Sequence, residues 1–298
     1  MNASTKRVMY YGASASPIGG FLTHPFDHIL QSDSSVTLGQ AGGHATSRVE
    51  SFAVDELMRS GAAYSQTTGS VDKATGNWTT LVTSVVENLN VLEVVTADRI
   101  VSRIALEHDS GEDMYYPKVT FVGTQFENLR INGKAVDVVL DLNLVTGPQP
   151  DPASRSGEEG GMLSAEATPQ RIEFPDVPWP DEQGFVQRAV AQSSQILNTL
   201  HGEAPDWLKR RYEWMQDPAA RARKGYIACS LVTAVRGTEP DPVYGHVIAV
   251  PGFGNVFLGE LVVDRASFKL TMLRIEMGCL ATGNVSFASA HSNGLPMP

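Results

Sequence analysis

Trp78-Thr79-Thr80-Leu81-Val82-Thr83-Ser84-Val85-Val86 is the stretch that decides the fold class. β-Branched side chains are stiff at χ1 and fit a pleated, half-buried surface, so this run reads as a strand. Ile100 to Leu106, Val119 to Val122 and Val136 to Leu144 have the same make-up. Asn132-Gly133 sits among alternating apolar residues, between Ile131 and Ala135. Asn-Gly supplies the positive φ angles of a tight hairpin, which makes this the firmest local feature of the chain. Ala74-Thr75-Gly76-Asn77 and Asp109-Ser110-Gly111 read as turns on the same grounds.

Within this half a short pattern recurs. It reads Val49-Glu50-Ser51-Phe52-Ala53-Val54, then Val86-Glu87-Asn88-Leu89-Asn90-Val91, then Phe126-Glu127-Asn128-Leu129-Arg130-Ile131, at spacings of 37 and 40 residues. Such spacings suit three similar strand starts in a duplicated β framework. In strand geometry each glutamate falls on the same face as the two apolar residues that follow it. An unpaired buried carboxylate is costly, so the glutamates are expected at strand ends or in ion pairs. A set of equivalent carboxylates for a cation or a sugar is the functional alternative.

Residues 147–182 change character: they hold seven of the 17 prolines, and eight acidic residues against Arg155 and Arg171. So little apolar area predicts a linker or long loop. Val186, Val190, Ser193, Leu197 and Leu200 then recur at helical steps, with Gly202 as a stop. Pro205 suits the first turn of a second helix carrying Trp207, Leu208, Tyr212, Trp214 and Met215. Strands return over Tyr226 to Val235, Val243 to Val250, Val256 to Val263, Phe268 to Ile275 and Val285 to Phe287. The expected class is mainly β, an antiparallel sandwich or a repeat-based stack with a helical insertion. Its parts are a first β segment at 1–146, an acidic linker at 147–180, the insertion at 181–224 and a second β segment at 225–298.

The formal charge of −10 disfavours nucleic acid, whose phosphates attract basic surfaces. No run approaches the ~18 apolar residues of a membrane-spanning helix. Lys6-Arg7 and Ala13-Ser14-Ala15 flank the four apolar residues Val8 to Tyr11, against the ~7–15 of a signal peptide. The chain is therefore read as leaderless and, by default, cytoplasmic. Cys229 and Cys279 lie in apolar, strand-like runs that could bring them together across a sheet, with a pair of buried free thiols as the leading expectation.

His24-Pro25-Phe26-Asp27-His28 is the densest cluster of catalytic residue types. Two histidines four apart coordinate a metal from one helical turn, but Pro25 disfavours helix at His24. A further ligand would have to come from His44, Asp27 or His291, so no metal or other cofactor is expected. Gly12-Ala13-Ser14-Ala15-Ser16 misses the nucleophile-elbow pattern, and Gly252-Phe253-Gly254 has the wrong spacing for a dinucleotide loop. Lys209, Arg210, Arg211, Arg221, Arg223 and Lys224 crowd 16 positions, interleaved with Trp207, Tyr212 and Trp214. That patch suits an anionic or aromatic partner, and the acidic linker upstream could equally fold onto it.

The runs Thr79 to Leu89 and Val95 to Val101, with Phe126-Glu127-Asn128-Leu129-Arg130-Ile131-Asn132-Gly133, resemble β-rich bacterial surface proteins of the choice-of-anchor type over residues 46–146. The resemblance implies an exported, non-catalytic β-protein, with no catalytic residues to carry over. The helical insertion, and the lack of a clear leader or anchor pattern, depart from those families.

The leading expectation is a non-enzymatic β-scaffold for self-assembly or partner binding, a homo-oligomer or a protein complex, with Trp207, Arg210, Arg211, Tyr212 and Trp214 as binding residues. A hydrolase or cyclase with a pocket near His24, Asp27 and His28 is the first alternative. A carbohydrate-binding domain using Trp78 or the tryptophans of the insertion is the second.

Overall fold

The computed structural model describes residues 8–31, 33–110, 117–146, 184–200, 205–239, 241–264 and 267–297. The acidic linker at 147–180, Lys6-Arg7, Gly111 and the Gly202 stop lie outside the described residues. The chain begins with β1 (Val8–Tyr10), β2 (Ala13–His24), β3 (His28–Gln31), β4 (Val36–Thr37) and β5 (Gly43–Val49). β6 (Phe52–Val54), β7 (Met58–Ser60) and β8 (Ala63–Val71) lead to the two longest strands, β9 (Trp78–Val91) and β10 (Val95–His108). Short strands follow: β11 (Lys118–Thr120), β12 (Gln125–Glu127), β13 (Arg130–Ile131), β14 (Lys134–Ala135) and β15 (Asp137–Leu140). The helices are α1 (Phe185–Thr199), α2 (Asp206–Glu213) and α3 (Pro218–Lys224), with a 3₁₀ turn at Trp214–Gln216. Next come β16 (Ile227–Ser230), β17 (Val232–Arg236), β18 (Val243–Tyr244) and β19 (Val247–Val250). β20 (Gly254–Asp264), β21 (Ser267–Gly278), β22 (Thr282–Ser292) and β23 (Leu295–Met297) close the chain.

Of the described residues strand accounts for 57% and helix for 14%, so the expected mainly β, antiparallel class holds, with the helices among them lying in the insertion region. A ten-stranded sheet is built around β9 and β10, and a nine-stranded sheet around β20, β21, β22 and β2. β9 and β10 lie against β2 and β22, so the two sheets stack. Val82, Val86, Ile100 and Ile104 from one side share a single core with Ile18, Leu270, Val285 and Phe287 from the other. Ser65, Ser84 and Ser102 are register partners across β8, β9 and β10 and are fully buried. Their hydroxyls have no hydrogen-bond partner among the described residues.

The Asn132-Gly133 hairpin joins β13 to β14 with both residues at positive φ, 51° and 73°, as the sequence requires. Several expected strands are shorter or divided. The Val136 to Leu144 run is strand only to Leu140, and Tyr226 to Val235 breaks at Leu231. Gly245-His246 interrupts Val243 to Val250. Pro205 caps α2 in an extended conformation instead of lying in its first turn. The buried stripe of α1 is Phe185, Val186, Ala189, Ser193 and Ile196, rotated from the expected Val190 and Leu197.

The recurring Glu-Asn pattern marks a transverse crease, not a set of strand starts. Carrying the printed registers through, Ser51, Gly61, Asn88, Asp98 and Asn128 fall opposite one another from β5–β6 across to β12–β13. Asn88 and Asn128 both adopt φ of 51°, and the Asn128 amide donates to Asp98 at 2.6 Å. At this line the alternation slips by one residue: Val82 and Val86 face the core before it, Leu89 and Val91 after it. Every strand slips together, so the ladder stays in register. The slip turns Glu87 away from the face of Leu89 and Val91, contrary to the unbroken-strand expectation. Glu87 and Glu127 instead flank Arg99, at 3.8 and 3.4 Å, and Arg99 also donates to the Tyr64 hydroxyl. Glu50 pairs with Arg48.

The other sheet carries the same device. Gly259, Met272, Ala288 and Pro17 stand in one line across β20, β21, β22 and β2, each skipped by the ladder. Gly259 and Ala288 have φ of 60° and 52°. Proline lacks the N–H that a ladder pair needs, so a skipped position is where Pro17 can lie between paired residues.

His108, opposite Trp78 at the end of β10, is fully buried, and neither ring nitrogen has a hydrogen-bond partner among the described residues. Burial lowers its pKa from 6.5 to about 4. The unfolded chain takes up this proton below pH 6.5 while the folded chain does not, so stability is present above that pH and lost as pH falls toward 4. Urea unfolding of wild type and His108→Leu should show about 3 kcal/mol more loss in the wild type across that window. Parallel pH profiles would contradict the assignment.

Candidate functional site

Trp207, Arg210, Arg211, Tyr212 and Trp214 all line one cleft of about 640 Å³, between the helical segment and the outer face of the nine-stranded sheet. The helices are held there by a small separate core, in which Ile196, Leu200, Leu208 and Tyr212 meet Val247 and Phe257. Gln192 on α1 bonds across the break at Leu231, donating to the Ser230 and Val232 carbonyls at 2.8 and 3.2 Å and accepting from the Ser230 N–H at 3.0 Å. The buried Ser193 hydroxyl donates to the Tyr212 carbonyl at 2.8 Å and ties α1 to α2. Asp217 caps α3, and Gly225 in the left-handed region ends it. These contacts set Trp214 edge-on to Tyr226 at 5.3 Å, with the Lys224 ammonium above both rings.

The sheet contributes the other wall. Arg274 donates to Glu260 at 2.5 and 3.0 Å and also pairs with Glu276, while Arg211 from α2 joins the same Glu260 carboxylate. Both guanidinium groups lie over the Phe257 ring, at 3.7 Å for Arg274 and 4.7 Å for Arg211. Lys269 lines the cleft on the same strand as Arg274. Five residues apart on a regular strand, they would face opposite ways, and the slip at Met272 between them brings both to the outer face.

Burial, with some help from Arg211 and Arg274, pushes the His246 pKa down to about 3, so its imidazole is neutral. Burial raises the Tyr212 hydroxyl and the Cys229 thiol, so both stay protonated. The Arg211 pKa is lowered, first by burial and then by Arg274.

The other sequence candidates do not gather here. His24 ends β2 and His28 opens β3, so the pair sits on a hairpin instead of a helical turn. His24, Asp27 and His28 are exposed, with Phe26 edge-on to His28 at 6.1 Å. His44 and His291 are hydrogen-bonded elsewhere, to Thr68 and Ser267. Among the described residues no group of three or more His, Cys, Asp and Glu could hold a metal ion. Trp78 is buried, so among the described residues the tryptophans open to a ligand are those of the helical segment. Cys229 is a buried free thiol, whereas Cys279 is half-buried. Among the described residues no helix is long and apolar enough to cross a membrane.

Glu260, Arg274, His246 and Lys269 escaped the sequence reading. Glu260 and Arg274 were visible as lone charges inside apolar runs, Leu258-Gly259-Glu260-Leu261 and Met272-Leu273-Arg274-Ile275.

Residues 9–264 match a family described as a domain of unknown function, DUF8256, and the chain belongs to that family. No curated protein and no solved structure matches it significantly. The family match stops short of β21, so Lys269 and Arg274 lie beyond it.

Removing one partner of a mostly buried ion pair leaves the other charge uncompensated. The side chains of Glu260 and Arg274 are 12% and 16% exposed. Glu260→Ala should therefore cost about 3 kcal/mol in urea unfolding. A loss below about 0.5 kcal/mol would mean that solvent already screens the cluster.

Proposed function

We propose that this chain is a non-enzymatic β-scaffold that assembles with further copies, or with a protein partner, through its helical segment. The observation that carries the reading is the meeting of Trp207, Arg210, Arg211, Tyr212 and Trp214 on one cleft. Arg210 and Lys224 are exposed, and Trp207 is 37% exposed, so the cleft presents a cationic and aromatic rim. Aromatic residues and arginine are the side chains most enriched at interfaces. The chain as a whole carries −10, so a second copy offers the carboxylates that such a rim attracts. Binding is favoured over catalysis by the state of the groups inside: the Cys229 thiol and Tyr212 hydroxyl are held protonated, and Glu260 is engaged by two arginines.

Light scattering of the intact chain should give a mass above that of one chain. Arg210→Glu and Trp207→Ala, both at the rim, should each shift it toward the monomer. A monomeric wild type would reject self-assembly, and a mass unchanged in both variants would remove the rim from the interface.

A further inference from the structure

The cleft, rim and floor together, holds more positive charge than its own contacts consume. Arg210, Arg211, Lys224, Lys269 and Arg274 line it, against the carboxylates of Glu260 and Glu276. Both carboxylates are engaged with Arg274, and Glu260 also with Arg211. Arg210 and Lys269 have no carboxylate partner within ion-pair distance among the described residues, and Lys224 rests on rings. This surplus sits on a chain whose formal charge is −10.

A second observation points into the same cavity. His246 lines it and is 4% exposed, and its Nδ1 has no hydrogen-bond partner among the described residues. Ser65, Ser84, Ser102 and His108 are also buried without partners among the described residues, but none of them lines this cleft. His246 does, and there a bound molecule can supply the missing partner. The neighbouring surfaces are aromatic. Trp207 packs at 6.4 Å against Phe257 yet stays 37% exposed, and Trp214 with Tyr226 lines the cleft beside Lys224. The cavity of about 640 Å³ falls among the ~300–1,000 Å³ sites that enclose small organic ligands.

We propose that this cleft is a receptor for a small organic anion carrying a planar ring, such as an aryl phosphate or carboxylate. The anionic group is held by Arg211 and Arg274 beside His246, in the field of the Lys224 and Lys269 ammonium groups, which no carboxylate among the described residues neutralises, and the ring lies against Trp207 and Trp214. Two guanidinium groups already fixed by Glu260 and Phe257 are pre-organised, so little side-chain order is lost on binding. The neutral His246 imidazole can donate to an anion or accept from its hydroxyl, depending on the tautomer. The lowered Arg211 pKa is the mark of a site that a further negative charge would relieve. The anion lies on the floor of the cleft, at Arg211, Arg274 and His246, while Trp207 and Lys224 are shared with the rim; titration reads this site and light scattering reads assembly, so either can fail alone.

The test is calorimetric titration of the intact protein with phenyl phosphate, inorganic phosphate and benzyl alcohol. Phenyl phosphate should bind at least about tenfold tighter than inorganic phosphate, and benzyl alcohol should give no heat. Lys224→Ala and Lys269→Gln change exposed side chains and should preserve the fold, verified by an unchanged melting temperature. Each should weaken phenyl phosphate by about three- to tenfold, and raised salt should weaken it further. Absence of phenyl phosphate binding overturns the proposal. So does equal binding of benzyl alcohol, which would mean an apolar pocket, or equal binding of inorganic phosphate, which would remove the ring from recognition. Unchanged affinity in both lysine variants would place the ligand elsewhere and equally overturn it.

Discussion

One backbone constraint governs the architecture: along one line across each large sheet, the strands that the line crosses each spend a single residue outside the in-and-out alternation. A slip in one strand alone would throw its remaining side chains to the wrong face. Because neighbours slip at the same level, the ladder on both sides of the line keeps one register and one continuous core face. The positions on the line carry residues that tolerate the required backbone. Asn88, Asn128 and Gly259 accept a left-handed φ, and Pro17 sits where no ladder N–H is needed. Ala288 holds φ of 52° at a fully buried site, where its small side chain limits the steric cost.

The cleft depends on that constraint. Lys269 and Arg274 come from opposite sides of the Met272 slip, and Glu260 directly follows the slip at Gly259. Without the slips these charges would be divided between the core and the outer face, and burying them would be prohibitive. With them, a charged and aromatic floor forms beneath the helices, and Phe257 is covered by Trp207 and two guanidinium groups. Gln192 and Ser193 then lock the helices over this floor through backbone carbonyls, which is why α2 can present arginines without a large apolar footing.

Much of the framework was legible in the sequence. β-Branched runs located β9, β10 and β20 to β22, Asn132-Gly133 located the β13–β14 hairpin, and helical spacing located α1. The interleaving of Trp207, Tyr212 and Trp214 with arginines marked one wall of the cleft. The opposite wall was hidden for a physical reason. Its residues meet through antiparallel register and a one-residue slip, and a period-two reading of β21 sends Lys269 and Arg274 to opposite faces. The Glu-Asn recurrence was visible, but whether its asparagines sit within strands or between them depends on φ, which composition does not reveal. His24, Asp27 and His28 attracted attention by residue type alone, and an exposed hairpin is an ordinary place for them.

The crease is tested most directly at Asn88, whose exposed side chain separates the backbone effect from packing. Urea unfolding would compare Asn88→Val and Asn88→Gly with wild type, using Thr83→Val on the same strand as a control for β-branching. At φ of 51° a β-branched residue is strained by roughly 1–2 kcal/mol, so Asn88→Val should lose about that much, whereas Asn88→Gly and Thr83→Val should stay close to wild type. An Asn88→Val protein as stable as wild type would contradict a left-handed residue at this position, and with it the crease.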